Sequence, residues 1–313
     1  MGKRLALHRW ALTLSVVSLC VFFALAASAA PRTYNVTEKM TFVNEGLGVC
    51  TKLRVVVSLF RDWDPYIDVV SESIAPSSYT VFTDEFGNRY AEITVENLAK
   101  GARVPVTLGW RIAVGEVAFD LSHCATSALP PNVQRYLQSE TYIESDNPSI
   151  KSQASLLSAG KSTACDTVQA IYDYVIATVK YAGYIPEIRG ALSAYRNKRG
   201  DCTEFALLMT ALCRAAGIPA RALEGVTNDA GDEVHTWMEA YLPGLGWVPF
   251  DPTWGRLAGN RTKYLGAMPA SHIPQVIGVN LNVLSGYSYY AYNYWWGATS
   301  TSVSVTGYDW SVK

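Results

Sequence analysis

Residues 199–206 read Arg199-Gly200-Asp201-Cys202-Thr203-Glu204-Phe205-Ala206, and an apolar run continues to Gly217-Ile218-Pro219-Ala220-Arg221. Asp201 is a good helix N-cap, and Glu204 three residues on completes a capping-box pattern. Cys202 is then the first residue of a helix. Free N–H groups and partial positive charge at a helix start favour thiolate over thiol and can hold a developing oxyanion. Thr203, Thr210 and Arg214 fall on one narrow stripe, so most of this helix is expected to be buried. Gly217 stands where a C-terminal cap is wanted, and Pro219 prevents continuation.

Two β-rich stretches follow, residues 234–242 and 247–251, joined through Pro243-Gly244-Leu245-Gly246. They read as a hairpin. The first carries His235-Thr236-Trp237-Met238-Glu239, and the second ends in Asp251-Pro252-Thr253-Trp254. Adjacent strands would bring His235 within reach of Asp251, but the turn type is not readable, and a symmetric turn would instead set Asp251 opposite Met238. Cysteine, histidine and aspartate are the inventory of a thiol nucleophile, its base and the base's orienting acid. Taken singly, each has a plainer reading: a disulfide cysteine, a core histidine, a turn aspartate before proline. Their order and local settings together favour the triad.

These motifs, Gly200-Asp201-Cys202 at a buried helix, Gly217-Ile218-Pro219-Ala220-Arg221, His235-Thr236-Trp237-Met238-Glu239 and Asp251-Pro252-Thr253-Trp254, resemble the core of the transglutaminase-like superfamily over about residues 163–256. The resemblance implies an α+β, papain-like core and a thioester acyl-enzyme. It makes Cys202 the nucleophile, His235 the base and Asp251 the orienter. The aromatic that completes the oxyanion hole in the animal enzymes has no clear counterpart. Tyr181 is the candidate for it, and Trp237 is a second candidate for an oxyanion or substrate contact. No organic cofactor is implied. Some animal relatives bind calcium, and the acids of residues 227–233 could do so, although they lack EF-hand spacing.

The chain has 313 residues, 49% hydrophobic and 17% charged, a globular composition long enough for two domains. Residues 1–29 read as a secretory signal. Lys3, Arg4, His8 and Arg9 make a basic start, an apolar run follows, and Ala27-Ser28-Ala29 is a small-residue cleavage site. If the segment is retained it is a membrane anchor instead. Its removal takes away Lys3, Arg4 and Arg9 and no acid. That leaves 23 basic and 27 acidic residues, net −4. Nucleic acid and anionic membrane are therefore not expected as main partners. Of the remaining cysteines, Cys50–Cys124 and Cys165–Cys213 make the simplest pairing, with Cys202 left free. No spacing suits a structural zinc site.

Residues 31–122 alternate as short strands, with a hairpin signal at Asp84-Glu85-Phe86-Gly87-Asn88 between residues 80–83 and 89–95. That spacing predicts a β-sandwich. It resembles the β-domain that precedes the core in many prokaryotic relatives. Pro130-Pro131 and Asp146-Asn147-Pro148 punctuate a boundary region, followed by helices over 150–157 and 163–181. Tyr287, Tyr289, Tyr290, Tyr292, Tyr294, Trp295 and Trp296 crowd the tail. They are expected to form strands that close the core sheet; an exposed aromatic face for glycan or peptide is the alternative.

The sequence thus predicts a signal peptide (1–29), an all-β sandwich (30–124), a linker with a short helix (125–162) and a transglutaminase-like core with aromatic-rich C-terminal strands (163–313). The expected activity is that of an exported cysteine enzyme on amide bonds of a protein or peptide, including cell-wall peptide, by hydrolysis or glutamine transamidation. A non-catalytic scaffold or cell-surface binding module is the competing reading.

Overall fold

A computed structural model describes residues 30–122, 124–228 and 234–313. The expected signal peptide and most of the candidate calcium loop lie outside the described residues. Strands β1 (Arg32–Asn44), β2 (Cys50–Leu59), β3 (Ile67–Ala75), β4 (Tyr79–Thr83), β5 (Arg89–Leu98) and β6 (Arg103–Val114) come first, then the short β7 (Val117–Ala118). Helices α1 (Pro148–Ser158) and α2 (Ala164–Thr178) follow, then β8 (Lys180–Tyr181), α3 (Ala191–Asn197), β9 (Arg199–Gly200) and α4 (Cys202–Ala215). The chain continues through β10 (Ala220–Thr227), β11 (Val234–Leu242), β12 (Gly246–Phe250) and α5 (Pro252–Gly255). It ends with β13 (Ala267–Met268), β14 (His272–Ile277), β15 (Tyr290–Trp296) and β16 (Val303–Val312). Among the described residues no helix is long and apolar enough to cross a membrane.

Two four-stranded sheets, ordered β16-β1-β6-β3 and β15-β2-β5-β4, form the sandwich. The first half of β1 alternates exposed and buried residues, as one face of a half-buried strand requires. β4 and β5 pair as the expected hairpin, Tyr79 opposite Ile93 through Thr83 opposite Arg89. The tail corrects the sequence reading. β15 and β16 do not close the core sheet; they pair antiparallel with β2 and β1 and complete the sandwich. Their rings explain the choice. Tyr292 meets Phe42 edge-on at 5.2 Å, and Trp310 stacks on Trp110 at 6.3 Å, both inside the sandwich.

The core sheet is antiparallel, in the order β12-β11-β10-β14. Ala222, Met238 and Ala240 on one face share a hydrophobic cluster with α4. Leu223 and Trp237 on the other face share one with the sandwich residues Trp63, Tyr66 and Trp110. The sheet is thus covered on both sides, which is why β11 is almost continuously buried. Glu239 pins the two layers together. Its Oε1 accepts from Trp63 Nε1 (3.2 Å) and the Tyr66 hydroxyl (3.0 Å), and its Oε2 accepts from Arg221 Nε (2.8 Å).

The cysteine pairing also differs from expectation. Cys124 is bonded to Cys165, at the start of α2, while Cys50, Cys202 and Cys213 are free. Cys50 lies buried at the head of β2 inside the sandwich, and Cys213 on the buried face of α4, so neither meets a partner. The segment after β7 runs back across the start of α2 and joins the two cysteines at a Cα separation of 5.8 Å. Burial pushes both the Cys50 and the Cys213 thiols up.

Candidate active site

α4 begins as its sequence requires. The Asp201 side chain accepts from Thr203 N at 2.9 Å, and Glu204 closes the capping box by accepting from Asp201 N at 3.2 Å. Gly200 is needed for this arrangement, because a Cβ there would stand 2.2 Å from the Glu204 Cβ. The second Asp201 oxygen accepts from Ile185 N at 2.9 Å, which ties down the loop after β8. β8 itself runs parallel to β9, with Tyr181 beside Gly200. The outcome is a sulfur at the tip of a buried helix, partly open to solvent.

His235 is the second residue of β11. β11 and β12 pair with Met238 opposite Phe250, so Asp251 falls just past the end of the ladder. There it caps α5, its Oδ1 accepting from Thr253 N (2.8 Å) and Trp254 N (3.1 Å). Oδ2 lies 2.9 Å from His235 Nε2. With Nε2 committed to Asp251, Nδ1 is the nitrogen left for the hydrogen bond between His235 and Cys202. The Trp254 ring stacks on His235 at 4.7 Å, and the Tyr172 hydroxyl donates to the Asp251 carbonyl at 3.2 Å.

Electrostatics follow from this geometry. Burial alone disfavours the His235 imidazolium. The Asp251 carboxylate and its hydrogen bond, helped by Cys202, outweigh burial and push the pKa up to about 10. Burial would likewise raise Asp251, but His235 and then His272 hold it well below the usual carboxylate range. At neutral pH the site therefore sets an imidazolium beside Cys202 with a buried carboxylate behind it. That arrangement can supply a proton to a leaving group.

The structure brings Cys202, His235 and Asp251 together. Tyr181 is 40% exposed on the wall of the same cleft, under the Arg256 guanidinium, which lies 4.7 Å from its ring. Trp237 corrects the sequence reading. It is 1% exposed, points to the sandwich face beside the His235 ring, and does not line the cleft. The cleft measures about 750 Å³, and its far wall is the C-terminal strand, through Tyr308, Asp309, Trp310 and Val312. Sequence reasoning gave the tail no such place. It also missed His272, which is 1% exposed and has Nε2 3.2 Å from Asp251 Oδ2. Ser271-His272-Ile273-Pro274 carries no motif that would announce it. The ligand atoms of His235, Asp251 and His272 all lie within 4.8 Å of one another. Within the trio, both imidazole Nε2 atoms lie within hydrogen-bond distance of Asp251 Oδ2.

The family model of the transglutaminase-like superfamily matches residues 151–252, the stretch from α1 to the start of α5. This chain carries a transglutaminase-like core. The chain is 38% identical over 76 residues to the uncharacterized protein YebA of Bacillus subtilis, covering 20% of this chain and 10% of that protein. It is 35% identical over 71 residues to a protein-glutamine gamma-glutamyltransferase of Pseudomonas aeruginosa, covering 19% and 11%. The matched stretches thus span about a tenth of the length of these curated relatives. A solved structure from Cytophaga hutchinsonii, provisionally assigned as a cysteine protease, aligns with 91% of this chain and 92% of its own length at TM-score 0.65 and 18% identity. That likeness extends through the sandwich as well as the core, and it is one of fold.

Proposed function

We propose that this protein is an exported cysteine enzyme that cleaves or transfers the acyl group of an amide bond through a thioester on Cys202. The observation that carries the reading is the 2.9 Å contact between His235 and Asp251 behind a cysteine at the start of a capped, buried helix. The Cys202 thiolate attacks the carboxamide carbon. The amide N–H of Cys202 belongs to the first turn, has no intrahelical acceptor, and is one oxyanion donor. Thr203 N–H is already committed to Asp201, so a second donor has to come from outside the helix, and Tyr181, paired beside Gly200, lines the same cleft. The His235 imidazolium gives its proton to the departing amine or ammonia, and Asp251 steadies the ring. Water or a second amine then opens the thioester. Export is supported by the Cys124–Cys165 disulfide and by the signal-like residues 1–29.

Hydrolysis is the favoured fate, because an open cleft in an exported protein meets water in vast excess over any amine. Transamidation is the second reading, favoured by the rings of Trp254, Tyr308 and Trp310 around the cleft. The test incubates mature protein with a glutamine-bearing peptide and a labelled primary amine. Release of ammonia or a cleaved peptide without label uptake is the expected result. Efficient label transfer at low amine concentration would make the protein a transamidating enzyme. Neither reaction with any amide substrate would leave a binding scaffold.

A further inference from the structure

Asp251 is wholly buried, and the four hydrogen bonds of its carboxylate divide evenly. Oδ1 takes the two amides of the α5 cap, as any N-cap aspartate does; Oδ2 takes two imidazoles, His235 and His272. The cap and the triad together account for three of these bonds. The fourth has no role in either. His272 stands at the start of β14, opposite Thr227 of β10, and reaches Asp251 from a different strand of the sheet. Its ring is boxed by Trp254 at 4.7 Å, Trp237 at 5.2 Å and Tyr264 at 5.6 Å. Ser271 Oγ lies 3.4 Å from its Nδ1. An apolar side chain would fill this aromatic box without the cost of burying an imidazole.

We propose that His272 is a positioning residue of the Cys202 site, holding the Asp251 oxygen that His235 uses. This rests on the reading of Cys202 as the nucleophile. His272 does not reach the cleft, so it acts only through Asp251. The titratable groups around the pair are few. His235, His272 and the Tyr172 hydroxyl touch Asp251; Tyr264 faces His272; Cys202 faces His235. Among the described residues no lysine or arginine makes a hydrogen bond or ion pair with Asp251. The buried carboxylate is therefore balanced by the two rings and two backbone amides alone. Without His272 the anion loses a donor and a fixed edge, and its hold on the His235 imidazolium weakens. The thiolate–imidazolium pair then survives over a narrower pH range.

The experiment follows iodoacetamide alkylation of the Cys202 peptide by mass spectrometry in the full mature protein, from mildly acidic to neutral pH. It compares wild type, His272→Phe and His272→Gln, with thermal unfolding recorded for each. His272→Phe is expected to react about tenfold more slowly at mildly acidic pH, an acidic limb moved up by about one pH unit. His272→Gln keeps an N–H donor and should stay within about threefold of wild type. If the Phe variant does not fold, His272→Asn, too short to reach Asp251, replaces it with the same expected loss. An unchanged limb in the donor-less variant overturns the proposal. So does a limb moved to lower pH, which would make His272 a rival of His235 for the carboxylate. The readout needs no substrate. A wild type whose Cys202 reacts only as an ordinary thiol would instead bring down the proposed function, and this inference with it.

Discussion

Tyr66, in the sandwich, donates its hydroxyl hydrogen to Glu239 Oε1 at 3.0 Å, four residues along β11 from His235. The strand that carries His235 is thus anchored to the β-domain as well as to α4. Glu239 is buried, and it accepts from Trp63, Tyr66 and Arg221 at once.

Removing that carboxylate strands three donors. Glu239→Ala is expected to destabilise the protein by about 3–5 kcal/mol, because Arg221 is left buried with no counter-charge. Denaturant unfolding measures it. A loss below about 1 kcal/mol would mean that the two layers hold together by apolar packing alone.

Glu224 makes a pH-dependent prediction. It is buried on β10, and burial pushes its pKa up to about 7, with Ser288 opposing and Asp201 adding to the rise. A carboxyl whose folded pKa is raised binds its proton more tightly in the folded state. Its contribution to stability is full below the unfolded value near 4.5 and is lost as pH rises through about 7. Over that window wild type should lose about 3 kcal/mol relative to Glu224→Gln. Parallel pH–stability curves for the two proteins would contradict the assignment.

Thiol accessibility tests the cysteine arrangement. Native mature protein, alkylated without reduction, should take one label, at Cys202, because Cys50 and Cys213 are buried. Unfolded without reduction it should take three. Reducing Cys124–Cys165, which closes a separation of 41 residues, should cost about 4 kcal/mol by the loop-closure relation. Five labels in the unreduced, unfolded protein would remove the disulfide.

The sequence made the triad legible because each member sits in its own local signal. The capping pair Asp201/Glu204 marks the sulfur's helix, and the hairpin and Asp251-Pro252 mark the other two. What was not legible depends on long-range routes. His272 reaches Asp251 from 21 residues away with nothing local to mark it. Strands of aromatic residues read alike whether they join a core sheet or a sandwich, so the place of β15 and β16 depended on partners about 250 residues earlier in the chain. The cysteine pairing was set by how the segment after β7 crosses α2. Trp237 was misread because β11 is covered on both faces, where a position two residues from His235 says nothing about exposure.

The central claim is that Cys202 forms a thioester. The most direct measurement is intact-mass and peptide mass spectrometry of the mature protein, acid-quenched during reaction with a glutamine-bearing peptide. The account predicts an adduct of the peptide less ammonia, or of its acyl fragment, on the Cys202 peptide. It should be released by hydroxylamine, absent from Cys202→Ala, and strongly reduced in Asp251→Asn. An adduct on any other residue, or substrate turnover that persists in Cys202→Ala, would contradict it.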